Sequence, residues 1–216
     1  MNHIATGTAL TTTEKGEVVA CYTQAELALC SAISQEEVFA LLVEGMNGEL
    51  HLLHPSREAL MASFNEGLGC VLLCFEEREV SVVGFCRLIP LTLHNGEMWY
   101  EFGSVYVAAG LRNLGVSTAM YQSFLLRHSE KRILATTTNM SAVAVGRKVG
   151  MVILPRRDLP LEVWQASCTC DSKKTLSETR ETCSLAYGES SAGSLCYFRV
   201  TKETHEMFFA KKGESV

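Results

Sequence analysis

Residues 105–120 read VYVAAGLRNLGVSTAM. A β-branched run passes through a short polar loop into an apolar segment with helical spacing. Arg112 stands three residues before Gly115, and Ser117 follows. A helix N-terminus carries unpaired backbone N–H groups and the positive end of the helix dipole. A loop of small residues lets that backbone come close to a pyrophosphate. Asn113 and Gly115 tolerate unusual dihedrals, and Arg112 adds a cation. Taken alone, the pattern describes a plain strand-to-helix turn better than a phosphate cradle, so its surroundings decide the reading.

Downstream, Val116, Ala119, Met120, Ser123 and Phe124 fall on one helical face, and the charged RHSEKR ends that helix. RILATTT (132–138) is β-branched and reads as a strand. Asn139 then caps a short helix over 141–148, and Gly150 ends it. Upstream, EMWYEFGSVYVA (97–108) reads as a long strand entered through the Asn95-Gly96 turn. CVLLCF (70–75) and VSVVGFCRLIPL (80–91) read as a hairpin joined by the polar EERE. EVVACYT (17–23) is a first strand. Ser34 with Glu37 three residues later predicts a capping box ahead of an apolar stripe through Val38, Leu41 and Leu42. Ser56 starts a second helix that stops near Gly67, and SLCYFRVT (194–201) reads as the last strand. Strand, loop, helix, strand and helix in the centre predict a right-handed βαβ crossover beside antiparallel hairpins, hence an α/β fold with a mixed sheet.

With these elements placed, VYVAAGLRNLGVSTAM resembles the acetyl-CoA-binding signature of the GCN5-related N-acetyltransferase (GNAT) superfamily. Val107 stands at the signature's Val, Ala109 at its usual Pro, and Arg112, Gly115 and Ser117 at its loop positions. NMSAVAVGRKVGM (139–151) resembles the family's second segment, with Asn139, Ala142, Val145, Lys148, Gly150 and Met151 in register. Gly84 fits a glycine common in the family's third strand. Together these features cover residues 35–151.

The resemblance implies a mixed, mostly antiparallel central sheet flanked by helices and a single domain over 1–216. It also implies an N-acetyltransferase with acetyl-CoA as co-substrate and no metal. Backbone groups of Val105, Tyr106 and Val107 would pair with the pantetheine arm. The amides of Arg112, Asn113, Leu114, Gly115, Val116 and Ser117 would hold the pyrophosphate, and Asn139 would contact the pantetheine or sulfur end. The acceptor would be an amine on a small molecule, peptide or protein, and family analogy allows a homodimer.

Direct attack needs a neutral amine, and a carboxylate can take its proton. Glu101 is the candidate catalytic base. It stands six residues before Val107, where some histone-acetylating members carry theirs, and strand alternation puts it on the face of Gly103, Val105 and Val107. A solvated strand carboxylate is the alternative. One departure stands out: many members carry a tyrosine that protonates the leaving thiolate where this chain has Gly146. That favours a second reading, a GNAT-fold acyl-CoA-binding or regulatory module with weak or no catalysis.

Bulk properties fit one soluble globular domain: 216 residues, 47% hydrophobic and 20% charged. A net charge of −5, without basic runs, argues against nucleic acid and suits a cationic amine. No signal peptide or membrane-spanning run is apparent, which predicts a cytoplasmic protein and no membrane partner. Cys21, Cys30, Cys70, Cys74 and Cys86 lie in apolar surroundings, whereas Cys168, Cys170, Cys183 and Cys196 lie in or beside a polar stretch. Cys-x-Cys with two twelve-residue gaps is a poor zinc spacing, and a disulfide is the other alternative, but the odd total of nine cysteines and the lack of an export signal make reduced thiols the expectation. Residues 166–193 read as a long loop or insertion, and the tail KKGESV as frayed. Surface or helix-entry roles are read for His51 and His54, a turn for His94, and packing for Tyr121. Trp99 and Tyr100 are read as lining the substrate side or packing in the core.

Overall fold

A computed structural model describes residues 7–13, 16–49, 55–76, 79–155, 158–167 and 197–213. In chain order the elements are β1 (Thr8–Thr12), β2 (Val18–Tyr22), α1 (Gln24–Ala28), α2 (Gln35–Asn47), α3 (Arg57–Asn65), β3 (Gly69–Glu76), β4 (Glu79–His94) and β5 (Glu97–Val107). A 3-10 turn (Ala109–Leu111) leads to α4 (Val116–Arg127), β6 (Arg132–Thr137), α5 (Met140–Lys148), β7 (Val152–Leu154), α6 (Leu161–Ser167), β8 (Tyr197–Val200) and α7 (Lys202–Gly213).

Local chemistry sets most of these boundaries. The Ser34 hydroxyl accepts from the Glu37 amide, and the Glu37 carboxylate accepts from the Ser34 amide at 2.9 Å, which is the expected capping box. Ser56 caps α3 with its side chain alone, the hydroxyl accepting from the Ala59 amide. Asn95 and Gly96 both have positive φ, 51° and 77°, as a two-residue hairpin turn that follows sheet twist requires. The stripe on α2 differs from expectation: Val38, Phe39, Leu42 and Met46 are buried, while Leu41 is exposed.

The strands form an eight-stranded sheet in the order β1-β2-β3-β4-β5-β6-β8-β7. The β5–β6 pairing is parallel, and the β1–β2, β2–β3, β3–β4, β6–β8 and β7–β8 pairings are antiparallel. The mixed, mostly antiparallel sheet with helices is therefore as the sequence implies. β1 and β7 are additional to the six strands read from the sequence.

The chain divides into two compact units, Met1–Ile89 with Gly103–Phe124, and Pro90–Phe102 with Leu125–Val216. In the first, Phe39 packs edge-on against Phe64 and Phe85, with ring centroids 5.3 Å and 6.0 Å apart. Such pairs contribute about 0.5–1.5 kcal/mol each beyond area burial. In the second, Trp99, Leu134, Val163, Trp164 and Phe198 form the core. Trp99 is thus a core residue. Cys21, Cys30, Cys70, Cys74 and Cys86 are buried and not disulfide-bonded.

Two predicted features change. Residues 166 and 167 end α6 instead of starting a loop, and 168–193 lie outside the described residues, as do Cys168, Cys170, Cys183, Cys196, His51 and His54. Past β8, Lys202–Gly213 is helical, where a fraying tail was expected from Lys211 on. Buried Thr201 starts this helix by accepting from the Thr204 amide at 3.2 Å, a cap signal present in the sequence and missed there.

Candidate functional site

Strand β5 carries Glu101. At its start, Glu97 binds Arg132 of β6 through two charge-assisted hydrogen bonds of 2.7 Å, to Nε and Nη2. The parallel ladder then runs through Trp99–Arg132, Tyr100–Ile133 and Glu101–Leu134. Glu101 is therefore the last β5 residue of that ladder, and it is half-buried. Tyr100, half-buried, faces the Lys131 ammonium 5.1 Å from its ring centroid.

Ser104, three residues further along β5, has φ 50°. Left-handed backbone in a non-glycine residue within a strand breaks the two-residue alternation of side chains. The expected shared parity of Glu101 with Val105 and Val107 therefore fails, and Tyr106 and Val107 are both buried. Gly84 of β4 is required here, because a Cβ on it would lie 2.8 Å from the Tyr106 carbonyl oxygen. The Tyr106 ring packs on α2 where Gly45 leaves room: a Cβ there would meet the phenol oxygen at 2.6 Å. Burial, reinforced by the Glu49 carboxylate, pushes the Tyr106 phenol above its ordinary pKa.

The chain then turns into α4. Arg112 folds back: its Nε donates to the Val107 carbonyl at 2.9 Å, and its Nη2 pairs with Glu49. Its amide donates to the Ala109 carbonyl at 3.2 Å, closing the 3-10 turn. The Arg112 guanidinium thus braces the loop against its own strand and the end of α2. Asn113 and Gly115 have φ 65° and 82°, and residues 112–115 are exposed. Val116 is buried and anchors the helix, and the Gly115 carbonyl accepts from the Ala119 amide at 3.0 Å. The amides of Val116, Ser117 and Thr118 have no intrahelical acceptor, by helix geometry.

The second matched segment is organised differently. Asn139 Oδ1 accepts from the Ser141 amide at 2.8 Å and caps α5. Gly150, with φ 85°, follows the helix as expected. Gly146 is buried against β8: a Cβ there would lie 2.7 Å from Arg199 Nη1 and 3.3 Å from the Met151 sulfur. Arg199, 2% exposed, donates through Nη1 to the Ala142 carbonyl of the same helix. An arginine from β8 thus fills the space a side chain at 146 would need. Asn139 and Gly146 were legible in the sequence, but Arg199 was not, because nothing near it in the chain marks it.

His94 Nδ1 lies 2.5 Å from the Glu162 carboxylate of α6, a role outside the predicted chemistry. Tyr121 is buried, as expected of a packing residue. Glu17, Cys74 and Glu76 bring possible ligand atoms within 4.8 Å of one another. Glu17 accepts from the Thr13 hydroxyl, and burial followed by the two carboxylates raises the Cys74 pKa. Among the described residues, no helix is long and apolar enough to cross a membrane.

This arrangement has counterparts of known structure. Arabidopsis thaliana Naa50, in complex with the bisubstrate analogue CoA-Ac-MVNAL, matches with TM-score 0.51 at 13% identity, over 85% of this chain and 98% of that one. The NatC complex bound to Gag peptide and CoA matches with TM-score 0.50 at 13% identity, over 67% and 92%. N-acetylglutamate synthase from Neisseria gonorrhoeae, complexed with coenzyme A and N-acetyl-glutamate, matches with TM-score 0.50 at 16% identity. This chain is covered to 85% in that match but spans only 34% of the synthase chain. No protein-family model matches the chain, and no curated protein does. The class is thereby defined: the chain has the GNAT fold, that of N-acetyltransferases.

Proposed function

We propose that the chain is an acyl-CoA-dependent N-acyltransferase that moves acetyl from acetyl-CoA to a primary amine by direct attack. The observation that carries this reading is the exposed Asn113–Gly115 loop, with its two left-handed residues, opening onto the first-turn amides of α4 within a GNAT fold. The amides from Asn113 to Ser117 hold the pyrophosphate, and Arg112 braces the loop. Backbone groups of Val105–Val107 pair with the pantetheine arm. The Asn139 side-chain amide, whose oxygen caps α5, offers its Nδ2 to the same arm. Amino-acid, peptide and protein amines are the acceptor classes.

Glu101 is the base. The neutral amine attacks the thioester carbonyl and a C–N bond forms. The C–S bond breaks, the amine proton passes to Glu101, and CoA leaves as its thiolate, to be protonated from solvent. A base must be deprotonated to act, so the rate falls as pH drops through its pKa. Glu101→Gln lowers kcat about 100-fold or more, leaves acetyl-CoA affinity unchanged by calorimetry, and removes the acid limb of the pH–rate profile. An unaltered profile sinks the role of Glu101.

A second reading is favoured by Gly146: with Arg199 in its place, no side chain at 146 can protonate a thiolate. The chain would then be an acyl-CoA-binding module. Thiol release from acetyl-CoA across a panel of amines separates the two. Release above hydrolysis supports the enzyme, and binding without release supports the module.

A further inference from the structure

Arg87 of β4 is only 9% exposed, yet it carries a charge among neutral oxygens. Its Nε donates to the Ser104 hydroxyl at 3.0 Å, and its Nη1 donates to the Ala59 carbonyl at 2.8 Å and the Ser63 hydroxyl at 3.1 Å. Ala59 and Ser63 lie one turn apart on α3, and Ser63 also donates to the Ala59 carbonyl at 3.1 Å. One guanidinium therefore ties a helix to the single residue of β5 with left-handed backbone. Burial pulls the Arg87 pKa below its ordinary value. That value is so high that the side chain remains a cation, and its donors stay charge-assisted.

Nothing local explains φ 50° at Ser104. A serine prefers extended backbone in a strand, and sparsely populated backbone persists only where the surroundings impose it. A left-handed residue also redirects the peptide groups that follow it, here those of Val105, Tyr106 and Val107. We propose that Arg87 is a positioning residue: by gripping the Ser104 hydroxyl from an anchor on α3, it holds residue 104 left-handed and so aims the Val105–Val107 backbone at acyl-CoA. The part concerning acyl-CoA rests on the function proposed above. The part concerning Ser104 does not.

The test compares the wild type with Arg87→Lys and with the double variant Arg87→Lys/Ser104→Gly in the full chain. In Arg87→Lys, the Ser104 Cα and Cβ NMR shifts move toward extended values and acetyl-CoA binds about tenfold more weakly. Glycine adopts left-handed backbone unaided, so the double variant recovers affinity to within about threefold of wild type. A merely structural Arg87 would show no such rescue. Unchanged Ser104 shifts in Arg87→Lys, or a double variant no better than the single one, overturns the proposal. If Arg87→Lys does not fold, Ser104→Ala, which removes only the acceptor hydroxyl, must show the same weakening for the proposal to stand. A wild type that binds no acetyl-CoA sinks the acyl-CoA reading, and the Ser104 shifts still decide whether Arg87 holds the strand.

Discussion

Helices α4 and α5 both start at positions matching the same superfamily, yet their N-termini are built in opposite ways. α4 follows Gly115, which has no side chain to turn back on the first amides, and the loop before it is exposed. α5 follows Asn139, whose Oδ1 already accepts from the Ser141 amide. The bodies of the helices differ too. α5 buries Gly146 under Arg199, so any larger residue there requires the Arg199 side chain to move. The spacing of a motif places a helix start, while the chemistry of the capping residue decides whether that start stays open to an anion.

The largest expected effect tests the closed face of α5. Gly146→Tyr restores the tyrosine many superfamily members carry, but its Cβ would sit 2.7 Å from Arg199 Nη1, which is bonded to Ala142. Overpacking of this kind costs about 3 kcal/mol. Denaturant unfolding should show that loss with no gain in thiol release, and a stable, faster variant would break the contrast between the helices.

Next comes the open start of α4. A Cβ at Gly115 would meet nothing within 4 Å, so Gly115→Val acts through φ 82° alone. The strain of about 2 kcal/mol should weaken CoA binding roughly 30-fold by calorimetry. Unchanged affinity would show that the loop does not cradle a phosphate.

The smallest effect sharpens the role of Asn139. Asn139→Ala removes the cap and should cost about 1 kcal/mol of stability. Asn139→Ser keeps a neutral capping oxygen and loses the Nδ2 donor. Weaker CoA binding in Asn139→Ser at unchanged stability would assign that nitrogen to the cofactor, and equal affinity in all three proteins would leave Asn139 as a cap alone.

What could be read from the sequence is what acts over a few residues. Ser34 with Glu37, Ser56, Asn95-Gly96 and Gly150 each set a boundary through their own backbone or side chain, and all of them hold. β1, α1 and α6 are too short for their periodicity to stand out, and α7 was hidden by expecting an unstructured tail. Glu101, Gly115 and Asn139 were legible as residue types at a spacing, but their surroundings were not. The brace of Arg112 on Glu49 and the grip of Arg87 on Ser104 span 63 and 17 residues, and no local pattern announces them.

By itself, the sequence determined the longer central strands and helices, the caps at Ser34, Ser56 and Asn139, and the loop before α4, because each follows from torsional preference and hydrogen bonding within a turn or two. Only the tertiary structure decided that Ser104 is left-handed, that the β5–β6 ladder carries Glu101 as its last β5 residue, and that Arg199 stands where a side chain at 146 would go. The physical reason is the same in each case. Each brings together groups far apart in the chain, so the torsional preferences of neighbouring residues do not specify it.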